Sequence, residues 1–323
     1  MKDNYGRKID YLRISITDRC NLRCTYCMPE EGITCMSHDE ILTYEEIEII
    51  CRMMAKIGLK HVKITGGEPL VRKECWRLIE KLKQVPGIET VTLTTNGILL
   101  EEMAERLVQA GVDGVNISID TLNKDAYAAI TRGGNIDQVL KGLEAICTYP
   151  QVTVKINCVL NGEDWKETAV SMAQIARTKS VHVRFIEYMP TVFGGEEQRR
   201  TQEQVKEVLE EVFGKMKECK EERPLGFGPS DYYQLDGFQG KIGFISAVSH
   251  KFCENCNRIR LTADGKLRLC LQSADMVDLK TLIRQGRKLE LAAVIQNAVR
   301  HKPKEHHFET KEIETKSMSQ IGG

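Results

Sequence analysis

The chain has 323 residues, 41% of them hydrophobic, and its 46 basic and 46 acidic side chains cancel to a formal charge of +0. At roughly 150 residues per domain this length predicts about two domains, and the balanced charge speaks against a chain built mainly for non-specific nucleic-acid binding. No apolar run approaches the roughly 18 residues of a membrane span, and the opening MKDNYGRKID lacks a signal-peptide core. A cytoplasmic protein is therefore expected, with neither nucleic acid nor a membrane as partner.

The first two-thirds reads as a βα repeat. Runs rich in β-branched residues occur at 11–17, 61–65, 90–94, 114–119, 153–160 and 182–186. Helical patterns fall at 43–57, where Thr43 and Glu46 have capping-box spacing, and at 72–84, 99–110, 137–147, 165–178 and 202–213. Such alternation predicts parallel strands joined by right-handed crossovers. Six units fall short of a closed eight-unit barrel, so an α/β fold with a partial six-unit (βα) barrel is expected; a doubly wound open sheet is the alternative. The strand ends carry Asp18-Arg19-Cys20, Gly66-Gly67-Glu68-Pro69, Thr95-Asn96-Gly97, Ser118-Ile119-Asp120, Asn161-Gly162 and Glu187-Tyr188-Met189. Ligands of parallel α/β folds bind at these ends, so one shared site is predicted there.

Composition changes near residue 215. Residues 217–229 resemble a linker, and a small β-rich module follows, with strands at 232–235, 241–246, 260–262 and 266–271 and helices at 278–284 and 287–299. The predicted division is a core domain over 1–215 and a smaller C-terminal α+β domain over 216–323. From His301 the chain is polar, and it is expected to be mobile unless a site orders it.

Cysteine is the compositional outlier, with 12 residues. In a reducing compartment clustered cysteines point to metal rather than disulfides. Cys20, Cys24 and Cys27 are spaced C-x3-C-x2-C, and their loop contains no fourth Cys or His to close a zinc site. Three thiolates on one tight loop suit three corners of a 4Fe–4S cube, leaving one iron open. Cys253, Cys256 and Cys270 are spaced C-x2-C-x13-C. Spacing alone leaves these open between a cluster and zinc with Cys219 or His250 as a distant fourth ligand. The six scattered cysteines read as small buried hydrophobes.

The first triplet with Tyr26, followed by Gly66-Gly67-Glu68-Pro69 at the second strand end, resembles the radical S-adenosylmethionine (SAM) superfamily. The resemblance implies that the open iron chelates SAM, and that one electron cleaves it to methionine and a 5′-deoxyadenosyl radical. The second triplet, in C-x2-C-N-R-x-R-L-T-x-D-G-x-L-x-x-C, and the opening LRISITDRCNLRCTYCMP resemble the GTP 3′,8-cyclase family of molybdenum-cofactor biosynthesis. That implies a core of the radical SAM type, a second 4Fe–4S cluster on Cys253, Cys256 and Cys270, and GTP as substrate.

Basic residues beside these motifs suit a triphosphate: Arg13, Lys63, Lys155, Arg258 and Arg260. The resemblance assigns GTP contacts to Arg13, Thr94, Lys155, Arg258 and Arg260, with main chain at Ile259, and SAM contacts to Tyr26, Gly67, Ser118 and Met189. Lys63 departs from it, standing where the family commonly carries arginine. Arg258 and Arg260 are the candidates for charge stabilisation during catalysis. The resemblance further implies an electron donor such as a flavodoxin or ferredoxin and a downstream cyclic pyranopterin monophosphate synthase, and it is compatible with a homodimer. It also implies that the tail ending in Gly322-Gly323 reaches the active site, between the two clusters. Two rivals remain: a radical SAM peptide-modifying enzyme with an auxiliary cluster, and a zinc-dependent binding module.

Overall fold

The computed structural model describes residues 1–160, 162–189, 199–219, 225–273 and 275–307. Six strands run parallel in chain order, each hydrogen-bonded to the next: β1 (Tyr11–Ser15), β2 (His61–Thr65), β3 (Thr90–Thr95), β4 (Gly114–Ser118), β5 (Thr153–Val159) and β6 (His182–Ile186). Helices α1 (Tyr44–Lys56), α2 (Trp76–Lys83), α3 (Leu100–Gln109), α4 (Lys124–Thr131), α5 (Ile136–Cys147) and α6 (Trp165–Thr178) form the crossovers, and α7 (Gln202–Phe213) follows β6. The predicted capping box starts α1: Glu46 N–H donates to Thr43 Oγ1 at 3.1 Å, and Thr43 N–H to Glu46 Oε2 at 2.8 Å. Helix α4 was not expected from the sequence. It buries only Tyr127 and Thr131, too little to print an apolar stripe, and the Asn123 side chain starts it by accepting Ala126 N–H.

The residues beyond 215 do not make a separate sheet. They form β7 (Lys217–Glu218), β8 (Asp231–Gln234), β9 (Ile242–Ile245), β10 (Arg258–Leu261), β11 (Lys266–Arg268) and β12 (Met276–Asp278), then α8 (Leu279–Arg284) and α9 (Leu291–Arg300). Strand β9 pairs in parallel with β6, and β10 in parallel with β1, from Tyr11↔Arg258 to Ile14↔Leu261. Antiparallel β8 and β7 extend one end, β11 and β12 the other, giving one sheet of order β12-β11-β10-β1-β2-β3-β4-β5-β6-β9-β8-β7 among the described residues. The cause is the unpaired row of N–H and C=O groups at each edge of a six-stranded open sheet. Strands β9 and β10 do not pair with each other, so the barrel stays open between them.

Along these strands the two faces differ in chemistry. Leu12, Ile14, Val62, Ile64, Val91, Leu93, Val115, Ile117, Val154, Ile156, Val183 and Phe185 join the apolar core with the helices. The alternate positions point inward and are mostly polar: Arg13, Lys63, Thr92, Thr94, Asn116, Lys155, Asn157 and Arg184. The usual filling of such a barrel is bulky and branched; this interior is hydrophilic. Segment 225–229 lies at its amino-terminal end, where Lys155 Nζ donates to Leu225 O and Phe227 stacks on His61, with centroids 3.3 Å apart. The predicted linker is in part a floor. Among the described residues no helix is long and apolar enough to cross a membrane.

Entry into β9 depends on Gly240. Its N–H donates to Ala176 O at 2.7 Å, and an added Cβ would sit 1.9 Å from Val181 O. Gly240→Ala should therefore destabilise the chain by about 1–3 kcal/mol through backbone displacement. Gly228→Ala, where the added carbon meets nothing within 4 Å, should change stability by less than about 0.5 kcal/mol. Denaturant unfolding of both variants is the check, and equal midpoints would show that β9 does not need this contact.

A cavity between two cysteine triplets

The carboxyl ends of the strands open onto a cavity of about 350 Å³. Both triplets line it, Cys20, Cys24 and Cys27 from the loop after β1, and Cys253, Cys256 and Cys270 from around β10 and β11. Arg13, Tyr26, Gly67, Thr94, Ser118, Met189, Arg258 and Arg260 line it too. Of the predicted site residues, Lys63, Lys155 and Ile259 are not in its wall. Ile259 packs in the apolar core. Lys63 and Lys155 lie one inward position nearer the amino ends than Thr65 and Asn157, which do line the cavity. Gly322 and Gly323 lie outside the described residues.

The first triplet is braced by neighbouring backbone. Cys27 N–H donates to Cys24 O at 2.9 Å, and the unexpected helix α4 ends against this loop, with Arg23 and Thr25 N–H groups donating to Thr131 and Ile130 carbonyls. Arg132, just past α4 with φ +54°, donates to Arg23 O and Met28 O. Gly67 N–H donates to Thr17 O and Glu68 N–H to Arg19 O. A Cβ at residue 67 would lie 2.4 Å from Arg19 O, so glycine is required first by the triplet loop itself, rather than by approach of a cofactor. Buried Glu68 accepts from Thr95 Oγ1 (2.7 Å), Asn96 N–H (2.6 Å) and Leu70 N–H (3.0 Å), and burial pushes its carboxyl up to about 7. Asn96 in turn points its amide nitrogen at Cys20 Sγ, 3.9 Å away. Tyr26 donates to Asp120 Oδ2 at 2.7 Å, and Asp120 Oδ1 accepts Val159 N–H at 2.9 Å.

The donor sets fit clusters. Burial pushes the Cys20 and Cys24 thiols up, so thiolates there need a positive partner, which iron supplies. Burial raises Cys256 also, but Arg258 and Lys302 outweigh it and bring that thiol to about 7. Among the described residues no three His, Cys, Asp or Glu side chains are grouped to hold a single metal ion. A cube instead spreads its cysteines over separate irons. Neither residue named as the fourth ligand of the zinc alternative is in this wall. Cys219 is not part of it, and the largely exposed His250 faces Glu203 at 3.7 Å.

Below the cysteines the interior is cationic. None of the eight parallel strands contains Asp or Glu, yet Lys63, Lys155, Arg184 and Arg260 are each at most 8% exposed. Burial, and then Arg184, Arg13 and Lys155, push the Lys63 ammonium well down. Burial and then Arg184 bring Lys155 to about 7, and burial, with Arg258 and Arg184 against Tyr11, brings Arg13 to about 10. Sequence reasoning placed Asp120 at a strand end of the site without a role, and it missed Lys302 and His306 in the wall and Arg184 in the interior below. Arg184 was legible as a polar alternate between Val183 and Phe185 of β6; Lys302 and His306 carry no local signal.

Comparison with known proteins agrees with this chemistry. The Radical SAM superfamily model matches residues 14–175, and the Molybdenum Cofactor Synthesis C model matches residues 181–308. A "GTP 3′,8-cyclase" of Pelotomaculum thermopropionicum is 44% identical over 325 residues, covering 100% of both chains. One of Heliobacterium modesticaldum is 45% identical over 329 residues, again covering 100% of both. Among solved structures, Streptococcus suis SuiB bound to S-adenosylmethionine has a TM-score of 0.65 at 14% identity, covering 98% of this chain and 76% of that one, a likeness of fold alone. The chain belongs to the radical SAM superfamily and, within it, to the GTP 3′,8-cyclase family.

Proposed function

We infer that this chain converts GTP to (8S)-3′,8-cyclo-7,8-dihydroguanosine 5′-triphosphate, the first step of molybdenum-cofactor biosynthesis. The observation that carries the reading is one cavity lined by both cysteine triplets, with cations and without strand carboxylates beneath. A cation-lined floor favours a triphosphate over a peptide substrate.

Cys20, Cys24 and Cys27 would hold one 4Fe–4S cluster, and Cys253, Cys256 and Cys270 the second. When bound, the first cluster with SAM supplies the radical that takes hydrogen from the ribose. Tyr26, Gly67, Ser118 and Met189 would hold SAM, with Asp120 fixing the Tyr26 hydroxyl. Arg13, Lys63, Lys155, Arg184, Arg258 and Arg260 would neutralise the triphosphate, and Thr94 and the Ile259 main chain would orient the nucleoside. Arg258 and Arg260 face both the substrate space and the second triplet, so they are placed to stabilise charge that develops there. Holding the ribose and guanine together in one wall is what favours ring closure over loss of the radical. A flavodoxin- or ferredoxin-class donor, a downstream synthase and a cytoplasmic setting complete the proposal.

Three measurements test it. After anaerobic reconstitution about eight irons per chain are expected, from two four-iron cubes. Cys24→Ser should remove about half and abolish SAM cleavage; Cys256→Ser should remove about half yet leave slow, uncoupled cleavage. Unchanged iron in the Cys256 variant would refute the second cluster.

Lys63→Met should weaken GTP binding about ten- to a hundredfold, as loss of a charged contact worth roughly 1.5–3 kcal/mol, without lowering the thermal midpoint of the nucleotide-free chain. Removing a buried charge among like charges relieves repulsion while it removes an anion contact. A lower midpoint with unchanged GTP affinity would make Lys63 structural.

The Lys155 contribution has a definite sign with pH. Its ammonium sits near 7 in the free chain, and bound phosphates would raise it. Affinity from this contact is then complete below pH 7 and declines as pH rises above it, where phosphate, with a second pKa of about 6, is already ionised. Lys155→Arg, which stays charged, should flatten the decline; equal slopes would exclude Lys155 as a contact.

A further inference from the structure

The segment after α9 returns to the second triplet and is held there from the other end of the chain. Arg7 is 8% exposed and directs both terminal nitrogens at backbone carbonyls. Nη1 donates to Cys253 O and to Lys304 O, each at 2.8 Å, and Nη2 donates to Pro303 O at 2.5 Å. Its Nε donates to Asp3 Oδ2 at 2.6 Å, and Asp3 Oδ1 accepts the N–H groups of Tyr5 and Arg7. The expected mobile tail is thus ordered as far as its described residues go.

This clamp sets the position of Lys302. The side chain is 3% exposed, lines the cavity with all three cysteines of the second triplet, and donates from Nζ to Leu269 O, next to Cys270. Burial lowers its ammonium and Arg7 and Arg258 lower it further, while Cys256 and Cys270 act in the opposite direction. Four residues on, the His306 backbone N–H bonds to the Cys253 sulfur. A cluster held by three thiolates becomes more negative by one charge on reduction. A fixed cation beside it stabilises the reduced form more than the oxidised form, because local charge and hydrogen bonds to sulfur set the potential of such clusters.

We propose that Lys302, beside Arg258, is a charge partner of the second cluster and holds its reduction potential up. The proposal rests on the cluster reading above. The test is an anaerobic redox titration of the reconstituted chain with titanium(III) citrate, following each cluster by electron paramagnetic resonance and counting iron in parallel. In Lys302→Gln, with iron retained, the second cluster should become about tenfold harder to reduce, a downward shift of about 59 mV for one electron, while the first cluster does not move. Lys302→Arg should restore the unsubstituted potential. An unmoved second-cluster potential in an iron-replete Gln variant overturns the proposal. Should the Gln variant lose iron, the Arg variant decides: full iron and the unsubstituted potential sustain the proposal, and loss of iron there too overturns it. About four irons in the unsubstituted chain, unchanged by Cys256→Ser, would instead sink the cluster reading and the proposal with it, a pattern distinct from either result above.

Discussion

Like charge gathered out of water is the constraint on which this molecule turns. Taking an ammonium or guanidinium out of water costs several kcal/mol unless a partner faces it. Here the inward face of the barrel gathers Arg13, Lys63, Lys155, Arg184 and Arg260 on strands that contain no carboxylate. Part of the cost is met by carbonyl acceptors such as Leu225 O and by depressed basicity at Lys63 and Lys155. Crowding like charges on one face costs stability, and a polyanion is the kind of ligand whose entry would relieve that repulsion.

The second constraint is the pairing of sheet edges. Because β10 pairs with β1 in register, Arg260 lies beside Arg13 and Arg13 beside Lys63, so one layer of backbone hydrogen bonds spaces three cations. The same strand begins two residues after Cys256, so the second triplet is tied to the wall that carries the first. Slippage by one residue would turn every arginine of β10 outward. The register of β10 on β1 therefore sets where the second triplet begins relative to the strand that leads to the first.

Legibility followed the range of the interaction. The six units, the α1 capping box and both triplets are local patterns, and each was readable from the sequence. The short α4 was not, since two buried residues leave no periodic stripe, although it braces the first triplet. The C-terminal strands were visible as strands, but their partners were not, because pairing with β1 or β6 depends on edges more than fifty residues away in the chain. At the site, Arg258 and Arg260 stood beside cysteines and could be found. Arg184 needed the alternation of β6 to be read as facing inward, and Lys302 reaches the cavity on a segment held by distant residues such as Arg7 and Leu269.

The β1–β10 pairing also has a consequence for how the chain is made. Residue 11 leaves the ribosome long before its partner at 258 exists. At about 5–20 residues per second the growing sheet carries an open parallel edge for on the order of ten seconds or more. Such edges recruit other strands, and inward-pointing charges are one of the features that discourage this. Arg13 on β1 and Arg184 on β6 stand on the two strands that wait longest for a neighbour. The inward cations proposed to meet the nucleotide in the finished molecule would thereby also discourage the nascent one from pairing with the wrong strand.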